Sequence, residues 1–95
     1  MNLEQLYSAC KDEPSLIFSF IKHGNYEIAY NLVNDNIVSV NTVDLLGNDV
    51  VTRFLKAKQY DYVIHLMKKK NWNVNNTNIE GNTFGHILAM DNSPM

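Results

Sequence analysis

The chain has 95 residues, enough for one small domain with a modest core. Hydrophobic residues make up 45% and charged residues 19%, which excludes a disordered chain, since disorder needs low hydrophobicity and high net charge. A net charge of −2 gives no global attraction to nucleic acid or anionic lipid, no apolar run approaches the roughly 20 residues of a membrane helix, and the single cysteine, Cys10, excludes an internal disulfide.

In chain order, Leu3, Leu6, Tyr7 and Cys10 form an amphipathic stripe that predicts a capping helix within residues 1–13. Leu16, Ile17, Phe18, Phe20 and Ile21 predict a helix from Ser15 to Lys22, with Pro14 near its first turn and an apolar density that calls for burial on more than one side. His23-Gly24-Asn25 ends it, glycine being a usual helix terminator. Tyr26, Ile28, Ala29, Leu32 and Val33 carry the i, i+3, i+4 spacing of a second helix from Tyr26 to Asn34. Asparagines gather between positions 34 and 41 and again between 71 and 82, where their tolerance of left-handed backbone predicts structured loops. Within the first cluster, Ile37-Val38-Ser39-Val40 is short and β-branched, so a strand or a hairpin-like extension is open there. A turn is expected at Asp44-Leu45-Leu46-Gly47-Asn48, then helices from Asp49 to Lys56 and from Tyr60 to Lys69, and a last one from Thr83 to Met90.

These elements recur at a fixed offset of 34 residues. Val40-Asn41 returns as Val74-Asn75, Gly47-Asn48 as Gly81-Asn82, Tyr26-Glu27 as Tyr60-Asp61, and Phe20-Ile21-Lys22 as Phe54-Leu55-Lys56. One offset shared by loops and apolar segments is the mark of a stacked repeat. The expected architecture is all-α: helix pairs stacked side by side with projecting loops.

The repeated unit resembles the ankyrin repeat. Gly81-Asn82-Thr83-Phe84-Gly85-His86-Ile87-Leu88-Ala89 is similar to that family's G-x-T-P-L-H-x-A-A, with Phe84 and Gly85 in place of proline and leucine. Asp44 to Asp49 resembles its turn, with Asp49 where threonine is usual; His23 to Ile28 resembles the joint between its helices; Val40-Asn41 and Val74-Asn75 sit at its V-N position. The likeness covers about residues 14–90 and implies an ankyrin-type solenoid of stacked antiparallel helix pairs with short hairpin-like loops. Its parts are a cap over 1–13, repeat one over 14–43, a divergent repeat two over 44–77 and an incomplete repeat three over 78–95. Repeat two lacks the T-P-L-H residues and has Lys58 in place of the inter-helix glycine, which implies a less stable copy. The incomplete third repeat admits two expectations: a piece of a longer array, scaffold or effector whose activity lies elsewhere, which would self-associate through an exposed Phe84, Ile87 and Leu88, or a small protein capped by an unusual C-terminus.

Catalysis needs a nucleophile, base or metal on convergent geometry, and the sequence supplies none. His23, His65 and His86 read as structural, at a helix end, inside a helix and at the family's motif histidine; no HExxH or second cysteine exists for zinc. Cys10 on an apolar stripe reads as a buried small hydrophobe. Gly81-Asn82-Thr83 lacks a phosphate-loop pattern. Lys68-Lys69-Lys70 beside Trp72 is explained by the favourable interaction of lysines with a helix C-terminus, leaving Trp72 to pack on the adjoining loop. No enzyme activity, cofactor, metal, nucleic acid, membrane or small-molecule substrate is therefore expected. The resemblance implies binding of another protein through turn tips and the concave face of the first helices. Carried onto this chain, that surface is Leu45, Leu46 and Asn48, then Ile79, Glu80 and Asn82, with Lys22, His23, Lys56, Ala57, Met90 and Asp91 on the helices. The start Met1-Asn2-Leu3-Glu4 lacks the features of a secretory signal, so an intracellular setting is expected, cytoplasmic or nuclear, or the host cytoplasm for a virus or intracellular bacterium.

Overall fold

The computed structural model describes residues 2–69 and 71–91, and over these the chain forms six helices and no strand. They are α1 (Leu3–Asp12), α2 (Leu16–Lys22), α3 (Tyr26–Asn34), α4 (Val50–Lys56), α5 (Tyr60–Met67) and α6 (Phe84–Asp91). Local chemistry sets their ends. Asn2 caps α1 by accepting from the Gln5 N–H, while the Gln5 side chain accepts from the Asn2 N–H, so two otherwise orphaned donors are satisfied. Asp49 caps α4 by accepting from the Thr52 N–H at 2.8 Å; it precedes the helix instead of opening it.

The joints within the two helix pairs have the same hydrogen bonding one period apart. Asn25 N–H donates to the Phe20 carbonyl and Gly24 N–H to Ile21, as Gln59 N–H does to Phe54 and Lys58 N–H to Leu55. Gly24 has φ +81, and Lys58 adopts φ 62 at the equivalent place. A non-glycine residue there costs about 1–2 kcal/mol. Lys58 is tied to Asp91 at the end of α6, a contact that offsets part of this cost.

α4 is the centre of the packing. It contacts α2, α5 and α6, while α2 contacts α3. Val50, Val51, Thr52, Phe54 and Leu55 of its seven residues are buried. Phe54 lies among the rings of Tyr26 and Tyr62, with centroids 6.2 and 5.3 Å away. α2 contributes Ile17 and Ile21 to the core, with Leu16, Phe18 and Phe20 half-buried around them, which accounts for its apolar density.

Four expectations change. Ile37–Val40 is not a strand: Val38 and Val40 insert into the core from a loop, and the extended pairing is a single antiparallel bridge, Val43 to Asp49. α5 stops at Met67, so Lys68 is its C-cap and Lys69 lies beyond it, outside the last turn; Lys70 lies outside the described residues. Phe84 and Ile87 are buried, because α6 packs on α4 and the Phe84 ring meets Trp72 edge-on at 5.1 Å. They are unavailable for self-association. Trp72 also reaches past its own loop, donating from Nε1 to Asp49 Oδ2 at 3.0 Å.

The glycines separate two costs. Ala at Gly24 meets open space and pays only for left-handed backbone, about 1 kcal/mol. Ala at Gly47, with φ +79, would also place Cβ 3.0 Å from the Asn78 Cα, so Gly47→Ala is expected to cost about 2–3 kcal/mol or more. Urea unfolding of both variants checks the order.

Candidate interaction surface

Two turns built the same way carry the exposed residues. In the first, Asp44 Oδ1 accepts from the N–H groups of Leu46 and Asn48, both at 2.9 Å, and Gly47 N–H donates to the Asp44 carbonyl. In the second, Asn78 Oδ1 accepts from Glu80 and Asn82 at 2.9 and 3.1 Å, and Gly81 N–H donates to the Asn78 carbonyl. A short oxygen-bearing side chain closes each turn while glycine, at φ +79 or +80, supplies the left-handed step.

The turns are bonded to one another. Ile79 N–H donates to the Leu46 carbonyl at 2.9 Å, Asn76 Nδ2 to the Gly47 carbonyl at 3.0 Å, and Asn78 Nδ2 to Asn48 Oδ1 at 3.0 Å. A second cross-link lies behind them, where Asn41 accepts from the Asn73 N–H at 2.7 Å and donates to the Asn71 carbonyl at 2.6 Å. The asparagine clusters thus act in cross-linking as well as in turning the chain.

This network pushes apolar side chains into solvent. Leu45 is 99% exposed, Ile79 71% and Leu46 49%. Asn48 does the opposite: at 2% exposure it is a buried hydrogen-bond partner of Asn78, and it offers no surface to a ligand. Its assignment to the binding face is corrected. Asn82 is half-buried, and Glu80, Lys56 and Met90 are exposed. Lys56, Glu80, Asn82 and Met90 come together with Lys58 and Asp91 around one cleft. Leu45 and Leu46 line another, of about 640 Å³, with Phe18 and Lys22 of α2 and Arg53 of α4. Ile79 lines neither cleft, although its N–H is bonded to the Leu46 carbonyl across the two tips. Arg53 was missed by sequence reasoning; its separation of three residues from Lys56 on a helix, which places both on one face, was the available signal.

The remaining candidates are structural in their contacts. His23 and His65 each place Nδ1 2.7 Å from the carbonyl one turn back, of Ser19 and Asp61. His86 Nδ1 lies 3.1 Å from both the backbone nitrogen and the hydroxyl of Thr83, which ties the start of α6 together. Cys10 is fully buried, and desolvation pushes its thiol pKa up, away from the reactive thiolate. Among the described residues, no group of three His, Cys, Asp or Glu is placed to hold a metal, and no helix is long and apolar enough to cross a membrane. A separate cleft on the α3–α5 side is lined by Tyr30, Tyr62 and His65, the two tyrosine rings 5.2 Å apart.

The end of α6 is fixed electrostatically. Asp91 accepts from Lys58 and from the Tyr60 hydroxyl, the latter at 3.0 Å, and the hydrogen bond from Lys58 holds its carboxyl below the ordinary value of 3.8. At the other end of the chain, the Tyr7 hydroxyl donates to Asp35 at 2.7 Å, which raises the phenol's pKa. In comparisons with family models, with curated proteins and with solved structures, nothing matches this chain.

Two tests follow from these contacts. Asn78→Ala removes three side-chain hydrogen bonds at a buried position and is expected to cost about 2–3 kcal/mol in urea unfolding. Because the Asp91 pKa is depressed in the folded state, its contribution is fully present above pH 3.8 and is lost as pH falls through the folded value. Wild type should therefore exceed Asp91→Asn in stability at neutral pH, with the gap closing in acid; a gap independent of pH would contradict the ionic contact.

Proposed function

We propose that the chain is a small ankyrin-type solenoid that binds another protein, without catalysis, through its turn tips and the adjoining helix face. Several observations support the solenoid reading. The joints of α2–α3 and α4–α5, and the turns at 44–48 and 78–82, have matching hydrogen bonds at the sequence offset of 34 residues. First helices contact first helices, α2 with α4 and α4 with α6, and the molecule measures 38 × 26 × 24 Å, longer in one direction. Thr83 and His86 are bonded to one another at the start of α6, and Asp49 supplies the helix cap in the unit that lacks the threonine.

The single observation that carries the binding reading is Leu45. A leucine that is 99% exposed, on a turn whose backbone is fixed by Asp44 and Gly47, contributes nothing to its own core. Burying a leucine in a partner yields roughly 1.5–3 kcal/mol. Leu46 and Ile79 add to the same edge, and the turn is already ordered, so little backbone entropy is lost on association.

The test is affinity capture from a lysate with wild type and with Leu45→Ala combined with Leu46→Ala as paired baits. A specific partner should bind the variant at least about tenfold more weakly, since each tenfold is 1.4 kcal/mol and two leucines are truncated. Far-UV circular dichroism and the urea midpoint should stay unchanged. Unfolding of the variant would make the pair core residues and overturn the assignment.

A further inference from the structure

Resting on that reading, the charge along the helix side of the surface names the kind of partner. The cleft beside Leu45 and Leu46 shares Lys22 and Arg53 with a second cleft between α2 and α4, which in turn shares Lys56 with the third cleft beside α6. Through these shared side chains the three clefts adjoin, a groove in three parts. Lys22 and Lys56 hold the same position one period apart, each the last residue of its helix, and Arg53 stands between them. Among the described residues, neither lysine pairs with a carboxylate. Asp44, the acid of the first cleft, is already committed: Oδ1 accepts from two backbone N–H groups, and Oδ2 lies 3.6 Å from Arg53 Nε; in the third cleft Asp91 is paired with Lys58, and Glu80 is the acid set against Lys56 there. The Arg53 Nε is buried and makes no hydrogen bond. A chain of net charge −2 therefore carries a positive stripe along an apolar edge.

We propose that this groove binds an acidic peptide segment of another protein, with a bulky apolar side chain flanked by Asp or Glu. The apolar side chain packs against Phe18, Val43, Leu45 and Leu46, and the flanking carboxylates meet Lys22 and Lys56, with Arg53 between. Arg53, whose side chain is 29% exposed, can then donate from the exposed part of its guanidinium to a carboxylate of the segment, since strong guanidinium pairing requires close, aligned hydrogen bonds and its 3.6 Å contact with Asp44 is not one. The positive stripe raises the association rate and rejects basic segments, while the leucines supply most of the affinity. A peptide fits better than a single-stranded nucleic acid. Nucleic acid would need open aromatic faces for stacking, and the rings along this groove, Phe18 and Tyr26, are half-buried against the core.

The experiment is selection of a displayed library of random 12-residue peptides on the purified full chain, followed by fluorescence anisotropy of the enriched sequences. Enriched peptides should carry an apolar residue beside Asp or Glu and should bind more weakly as salt rises. Lys22→Glu with Lys56→Glu should weaken them by about tenfold or more, as expected when attractive rim charges become repulsive. Replacing the peptide's acids by lysine should reverse the preference, so that the variant binds it better than wild type does. If circular dichroism shows that the variant misfolds, Lys22→Gln with Lys56→Gln serves instead, with a smaller loss expected in the same direction. Enriched peptides without acidic bias that still depend on Leu45 and Leu46 would overturn this inference and leave the tip-binding reading intact. Acidic peptides indifferent to Leu45→Ala with Leu46→Ala would overturn that earlier reading as well, and so would a selection that enriches nothing. A 12-nucleotide single-stranded RNA that binds as tightly and is lost with the same lysines would overturn the peptide assignment in favour of nucleic acid.

Discussion

The structure depends on how closely two turns approach. Gly47 brings its backbone so near the Asn78 backbone that a methyl group would fit only if the neighbouring turn moved back by a few tenths of an ångström. That approach lets the Ile79 N–H reach the Leu46 carbonyl, and it aligns Asn48 with Asn78 inside the contact. Buried polar groups of this kind stabilise only when each finds its partner. Asp44, Asn48, Asn76 and Asn78 form such a set, in which Asp44 Oδ1, Asn48 Oδ1, Asn76 Nδ2 and both polar atoms of the Asn78 side chain have hydrogen-bond partners. The spacing of α4 from α6 and the outward direction of the tips both follow from it.

Asp49 joins this set to the hydrophobic core. One carboxylate oxygen caps α4 and the other accepts from the Trp72 indole, whose ring packs edge-on against Phe84. A single buried acid thereby couples the start of one helix to the loop that leads to another. This position was expected to weaken the second unit, since threonine is the usual residue in the family it resembles. The aspartate performs the capping role with one oxygen and takes the second contact with the other.

The helices were legible because their apolar residues are periodic. α2, α3 and α4 fall within a residue or so of the expected limits, and the offset of 34 residues reappears in the hydrogen bonds of the joints and turns. What stayed hidden was long-range. Nothing local distinguishes Asn48, buried beneath a turn, from Asn82, half-exposed at the equivalent place; the difference is the neighbouring turn that covers one of them. Phe84 and Ile87 were expected to be exposed, yet α4 and Trp72 cover them from the preceding side. Lys58 has a side chain that ordinarily avoids left-handed backbone, and only its contact with Asp91 makes the choice intelligible. For the surface, Leu45, Leu46, Lys56 and Met90 are exposed, as their places in the repeat implied, whereas Arg53, three residues before Lys56 on the same helix face, was overlooked.

The asparagine bonds that tie the turns and loops together link residues 29 to 32 positions apart, whether the pair is Asn41 with Asn71, Asn41 with Asn73, Gly47 with Asn76 or Asn48 with Asn78. Closing a loop costs entropy that grows only with the logarithm of its length. Once one of these links has formed, the others close segments already shortened by it, and their cost falls sharply. Assembly can then proceed like a zip from any nucleus. The search for a distant partner falls on the first of these links, which must close about 30 residues by itself.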